Sequence, residues 1–207
     1  MGGGLPMPGL VWCGARTQRS MSGPQPGAGP LRLLFVCTGN ICRSPAAAIA
    51  ARAAASPLGG LVEISSAGTR AVVGSGVHPA TAAALARRGL DPAGHVAQDI
   101  SRTLIEQADL ILTMSTQHRS EVLELTPTAL RRCFTLREFV RLTTAPGLES
   151  DTPKTLIAAA SRMRGMALGD NDVLDPLSPA SPGHDATVAM IVDLVDVLGR
   201  RLLGSAD

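Results

Sequence analysis

The segment Cys37-Thr38-Gly39-Asn40-Ile41-Cys42-Arg43-Ser44-Pro45 lies between an apolar run, residues 31–36, and an alanine-rich stretch that starts at Pro45. A short apolar run reads as a buried strand, and proline suits the first turn of a helix, where its missing N–H costs no hydrogen bond. The chain must therefore pass from strand to helix within a few residues, most of them with short side chains. Such a turn gathers backbone N–H groups at the positive end of the helix and forms a nest for an anion. A thiol stands at its entrance and a guanidinium at its exit.

The rest of the chain repeats this alternation. Strands are expected at residues 31–36, 61–65, 109–114 and 132–136, and helices at 45–55, 79–88, 116–125 and 186–203. Strands alternating with helices predict an α/β domain, a three-layer α/β/α arrangement with a small parallel sheet of about four strands. In the last helix Val188, Ile191, Val195, Leu198 and Leu202 fall on one stripe that closes the core. Two stretches interrupt the rhythm: the glycine-rich residues 68–78, and the Pro- and Asp-rich residues 143–182 with one helical piece at 153–164. Long loops in compact domains commonly carry function, and both are expected at the rim of the anion nest.

Composition narrows the class. Residues 1–30 contain GGG, PMPG and SGPQPGAGP without periodicity, so they are expected to form a tail too poor in buried surface to order itself. Met21 is an alternative start, and Trp12 and Cys13 are incidental or a docking motif. Residues 31–207 then form one catalytic domain. Arg16 and Arg19 are the only charges before Leu31, and the remainder balances at 17 basic against 17 acidic residues, which argues against nucleic-acid binding. The cysteines, Cys13, Cys37, Cys42 and Cys133, have neither a disulfide framework nor zinc-ligand spacing, as expected of a reduced cytoplasmic protein. No apolar stretch reaches the roughly 20 residues of a membrane helix, so no membrane partner is expected.

Converging amides, a helix N-terminus and a guanidinium lower a thiol pKa from about 8.5 to between about 3.5 and 7.5. Cys37 is therefore expected to be an ionised nucleophile. Arg43 offers a planar fork for two phosphate oxygens, and the amides of Thr38, Gly39, Asn40, Ile41 and Cys42 supply the remaining donors. The sulfur displaces an alcohol or phenol from phosphorus, and water then releases phosphate from the phosphocysteine. Ser44 is placed to donate a hydrogen bond to the sulfur as it leaves. The scheme requires no cofactor and no metal.

With those residues in view, the chain resembles the low-molecular-weight protein tyrosine phosphatases, whose signature VCxGNxCRSP it matches from Val36 to Pro45. The likeness continues through Ser66-Ala67-Gly68-Thr69, Gly94-His95, the run from Ala108 to Met114 and a late Asp175-Pro176. HRSEVLELTPTALRRCFTLREFVRL is similar to the actinobacterial branch. The resemblance implies a phosphatase-I-like fold and an acid for the leaving group, matched by Asp175. It also implies a polar network bracing the loop, at Asn40, Ser44, Ser66 and His95. Asn40 suits it because asparagine tolerates left-handed backbone. Cys42 matches a second thiol, either a disulfide partner for an oxidised Cys37 or a small apolar filler. The implied partner is a tyrosine-phosphorylated protein, met by a monomer.

The chain departs from the family in having no tyrosine. Leu177 follows Asp175-Pro176, and Arg70 follows Ser-Ala-Gly-Thr, where the family often carries an aromatic wall for a phosphotyrosine ring. Three other functions compete. A protein arginine phosphatase on this scaffold places threonine where this chain has Ile41. A thiol-dependent arsenate reductase needs relay cysteines, and none lies between Arg43 and Arg132. A phosphopeptide-binding module would keep the loop and turn over poorly.

Overall fold

The computed structural model describes residues 29–58, 60–148, 150–166 and 169–203. The expected tail, with Trp12, Cys13 and Met21, lies outside the described residues apart from its last two positions. Strand β1 (Leu31–Cys37) is buried from Leu33 onward because it is covered on both faces. It pairs in parallel with β2 (Val62–Gly68) on one side and β3 (Leu110–Thr113) on the other, and β3 pairs with β4 (Cys133–Thr135), giving the order β2-β1-β3-β4.

Successive side chains of a strand point to opposite faces, and here that alternation builds the two outer layers. Leu33, Phe35 and Cys37 join an apolar cluster with α1 (Arg43–Ala55), α5 (Leu136–Thr143), α6 (Pro153–Arg162) and α7 (His184–Leu203). Leu34 and Val36 face the other way, toward residues of α3 (Arg102–Gln107) and α4 (Thr116–Leu125). The alanines of α1 serve the first layer, since small side chains let α7 approach closely. All five residues of the expected α7 stripe are buried.

Helix α2 (Pro79–Ala86) stops two residues earlier than the sequence pattern suggests, and α7 begins two residues earlier. Two helices were not expected. Helix α3 is only six residues long, too short to show a period, and is started by Ser101, whose hydroxyl accepts from Leu104 N at 3.2 Å. Helix α5 begins where the fourth strand was expected to continue. Thr135 Oγ1 accepts from Glu138 N at 3.1 Å, and Glu138 Oε2 accepts from Thr135 N at 3.2 Å, a reciprocal cap that ends β4 abruptly. Arg119 Nη1 donates to the same Glu138 carboxylate at 2.8 Å, so this buried acid is paired as well as capping. No helix among the described residues is long and apolar enough to cross a membrane.

Two close approaches fix the end of β1. Gly68 lies opposite Cys37 in the register, and a Cβ there would stand 2.4 Å from the Thr38 carbonyl oxygen and 3.0 Å from Ala71 Cα. From α4, the buried His118 ring bonds Thr38 Oγ1 through Nε2 and Ser115 Oγ through Nδ1, each at 2.8 Å. Burial, with Arg43 second, pushes the His118 pKa down to about 4.

Two predictions follow from these contacts. Gly68→Ala forces backbone against backbone and should cost about 1–3 kcal/mol in denaturant unfolding. The neutral His118 binds fewer protons folded than unfolded, so its contribution is complete above its ordinary pKa near 6.5 and is lost as pH falls toward about 4. Stability should drop by about 2–3 kcal/mol across that window, and His118→Gln should flatten the slope; an unchanged slope would remove His118 as its source.

Candidate active site

The carbonyls from Cys37 to Ile41 are satisfied from outside the turn, while that of Cys42 accepts from Ala46 N in α1. Thr69 N donates to Cys37 O at 2.9 Å, Arg70 N to Thr38 O at 3.0 Å, Val72 N to Gly39 O at 2.9 Å and His78 N to Ile41 O at 2.8 Å. His95 Nε2 bonds Asn40 O at 2.7 Å. Every peptide here is trans, so each outward carbonyl aims the N–H of the following residue the opposite way, into the turn. The glycine-rich loop after β2 thus acts as an outer hoop of donors. The inner face is left with the amides, as in an anion nest.

Asn40 holds the middle of the turn. Its φ of 54° is the only positive value on a non-glycine residue among those described, and its side chain is fully used. Nδ2 donates to Ser44 Oγ at 2.9 Å and Ser66 Oγ at 3.0 Å, while Oδ1 accepts from Gln98 N at 3.0 Å. Ser44 Oγ lies 3.0 Å from Cys37 Sγ and 3.3 Å from Ala67 O. Because Asn40 donates into this hydroxyl, its single proton goes to the carbonyl or to the sulfur, and the shorter contact is to sulfur.

Arg43 opens α1 and is buried. Its Nη1 donates to Val173 O at 3.1 Å and its Nη2 to Asp175 Oδ2 at 2.7 Å. The other carboxylate oxygen of Asp175 accepts from Leu177 N at 3.0 Å, in a tight turn at Pro176. Helix α5, absent from the sequence reading, holds this segment: Arg137 Nη1 pairs with Asp170 and donates to Asp172 O at 2.8 Å, and Arg141 donates to Asn171 Oδ1 and Asp170 O, both at 2.8 Å. Val173 N then donates to Met114 O at 2.8 Å, just past β3. The hydrogen bond from Asp172 N and the Arg137 guanidinium lower the Asp170 pKa. Asp170, Asp172 and Asp185 are engaged by Arg137, Thr116 and Arg87 respectively, whereas Asp175 meets Arg43.

The structure thus brings Cys37, Arg43, Ser44 and Asp175 together around the turn, with Ser66 and His95 bracing Asn40. His118 and Gln98 were missed, having no motif around them to mark them. Arg70 lies mostly in solvent, 3.9 Å from Glu121. Val72, Val73 and Leu177 are exposed. Gly39 has Ile41 and Val72 as its near neighbours, so these two aliphatic side chains flank the turn. Burial raises the Cys42 pKa, opposed by a hydrogen bond from Thr81. Burial pushes Cys133 up to about 12. All three described cysteines are free thiols. Cys42, His78 and His184 make a cluster that could hold a metal ion.

Residues 32–158 match the family described as low molecular weight phosphotyrosine protein phosphatase. The match ends before Asp175. A protein-arginine-phosphatase of Geobacillus stearothermophilus is 39% identical over 111 residues, 54% of this chain and 72% of that protein. A low molecular weight protein-tyrosine-phosphatase of Streptomyces coelicolor is 33% identical over 165 residues, 77% of this chain and 86% of that one. Among solved structures, the low molecular weight protein tyrosine phosphatase of T. tengcongensis superposes with a TM-score of 0.64 at 29% identity, covering 83% of this chain and 99% of the other. The chain belongs to the low molecular weight phosphotyrosine protein phosphatase family.

Proposed function

We propose that this phosphatase hydrolyses phosphotyrosine and related aryl phosphates through a phosphocysteine on Cys37. The observation that carries the reading is the turn after Cys37, whose carbonyls from Cys37 to Ile41 are all taken from its outer side, with Arg43 at its exit. A phosphoryl group seated there meets donors at its equatorial oxygens and the sulfur in line with the leaving phenol, so charge is stabilised where it builds. Its oxygens compete with Asp175 for Arg43 Nη2, while Val173 O continues to brace Nη1. Asp175 then serves as the acid that protonates the departing phenolate, and as the base that draws a proton from water in the second step. The Ser44 hydroxyl, 3.0 Å from Sγ, stabilises the sulfur when phosphate departs.

Substrate preference rests on the rim. Ile41, Val72 and Leu177 offer aliphatic surface and the chain has no tyrosine, so an aryl ring is held by burial rather than by stacking. The substrates in this reading are tyrosine-phosphorylated proteins, met by a monomer, and the free thiols among the described residues fit a reducing compartment such as the cytoplasm. The Geobacillus relative favours a second reading, dephosphorylation of arginine. Ile41 weighs against it, because a branched apolar side chain offers no hydroxyl to a guanidinium.

Aryl phosphate assays test the chemistry. Cys37→Ser should show no turnover. Asp175→Asn should lose about 10²–10⁴-fold in kcat with a basic leaving phenol and progressively less as the phenol becomes more acidic. An equal loss for all leaving groups would take the acid role from Asp175. For specificity, kcat/KM should be at least about tenfold higher for a phosphotyrosyl than for a phosphoarginyl peptide, and Ile41→Thr should narrow the gap. A preference for phosphoarginine would replace the first reading by the second.

A further inference from the structure

Cys42, His78 and His184 come from three segments distant in sequence, the starts of α1, α2 and α7, and one potential ligand atom from each lies within 4.8 Å of the other two. The two imidazoles are stacked, with centroids 4.7 Å apart and planes 8° from parallel. Neither ring has a part in the phosphate chemistry above. Both are half-buried, so water and ions reach them, while the thiol is buried.

A buried neighbour supports one of the rings. Thr81 Oγ1 lies 2.8 Å from His184 Nδ1. A hydroxyl oxygen can accept from an Nδ1–H, and in that tautomer Nε2 of His184 carries the lone pair. A second partner on the far nitrogen is the usual support of a metal-binding histidine. His78 Nδ1 accepts only a long bond, 3.3 Å, from Ala80 N. Asp175 and Asp185 lie near enough to favour positive charge at His184, whereas Arg43 is a positive neighbour of Cys42.

We propose that Cys42, His78 and His184 form a binding site for a thiophilic divalent cation of the zinc type, with water as its fourth ligand. One thiolate and two imidazoles match the softness and tetrahedral geometry that zinc selects. Ligand atoms on such a tetrahedron stand about 3.3–3.6 Å apart, so binding tilts the stacked rings toward each other and toward the sulfur. The cation thereby ties the end of the anion-binding turn to the starts of two further helices. It also occupies the sulfur that would otherwise be open to pairing with Cys37.

The test uses the full chain carrying Cys13→Ser and Cys37→Ser, which removes the competing thiols; Cys133 is sealed by burial. Zinc affinity is measured by competition with a chromophoric chelator, and cobalt(II) serves as the spectroscopic probe. One equivalent should bind, with a thiolate-to-cobalt charge-transfer band and the intense visible bands of a tetrahedral ion. Cys42→Ser should abolish the charge-transfer band and weaken zinc binding by about a hundredfold or more, and Thr81→Val should weaken it by about 10–100-fold. His78→Gln and His184→Gln should each weaken it at least as much as Thr81→Val; they are read separately, with circular dichroism as the folding check, so that one misfolded variant leaves the other decisive. Undiminished zinc affinity in Cys42→Ser or in a folded histidine variant would overturn the site, as would an octahedral cobalt spectrum without charge transfer.

Discussion

The structure depends on one arrangement of hydrogen bonds, the saturation of the turn's carbonyls from its outer side. A peptide unit is rigid, so capturing its oxygen on one side commits its N–H to the other. The donors are mostly backbone amides of the loop after β2, joined by the imidazole of His95. That loop can reach them because Gly68, alone among residue types, lets the Thr38 carbonyl pass so close. Burying such a turn would otherwise strand polar groups at substantial cost. Here the same contacts that satisfy the backbone also aim it.

The second consequence concerns Asp175. It is remote in sequence from Cys37, yet its carboxylate meets Arg43 directly, so one guanidinium joins the turn to a distant segment of the chain. The segment that carries it is held by Arg137 and Arg141 from the far end of the sheet. Helix α5 therefore sets the position of a residue that belongs to no regular element, and the capping box at Thr135 and Glu138 determines where α5 begins.

Much of this was legible because its parts are contiguous. Strand, turn and helix start occupy one unbroken segment, and the turn needs residue types with narrow conformational tolerance, so Cys37, Asn40, Arg43 and Ser44 announce themselves. The alternation of apolar runs gave the four parallel strands. Helix α3 was hidden by its brevity. Helix α5 was hidden by β4, whose three residues run straight into it, although Thr-Leu-Arg-Glu carries the capping signal. His118 looks like a surface residue of an amphipathic helix until Thr38 is placed against it. The group of Cys42, His78 and His184 has no spacing to recognise, because the chain assembles it only by crossing the domain.

The outward parity of β1 has a last implication. Leu33, Phe35 and Cys37 share one face of the sheet, and Leu34 and Val36 the other. A strand repeats every two residues, so a single insertion or deletion between Leu33 and Cys37 would swing the sulfur onto the side of α3 and α4, away from Ser44 and the helix that starts at Arg43. Strand length upstream of the thiol is thus quantised in pairs: homologous exchanges and grafts of this segment must conserve it modulo two, whatever residues they bring.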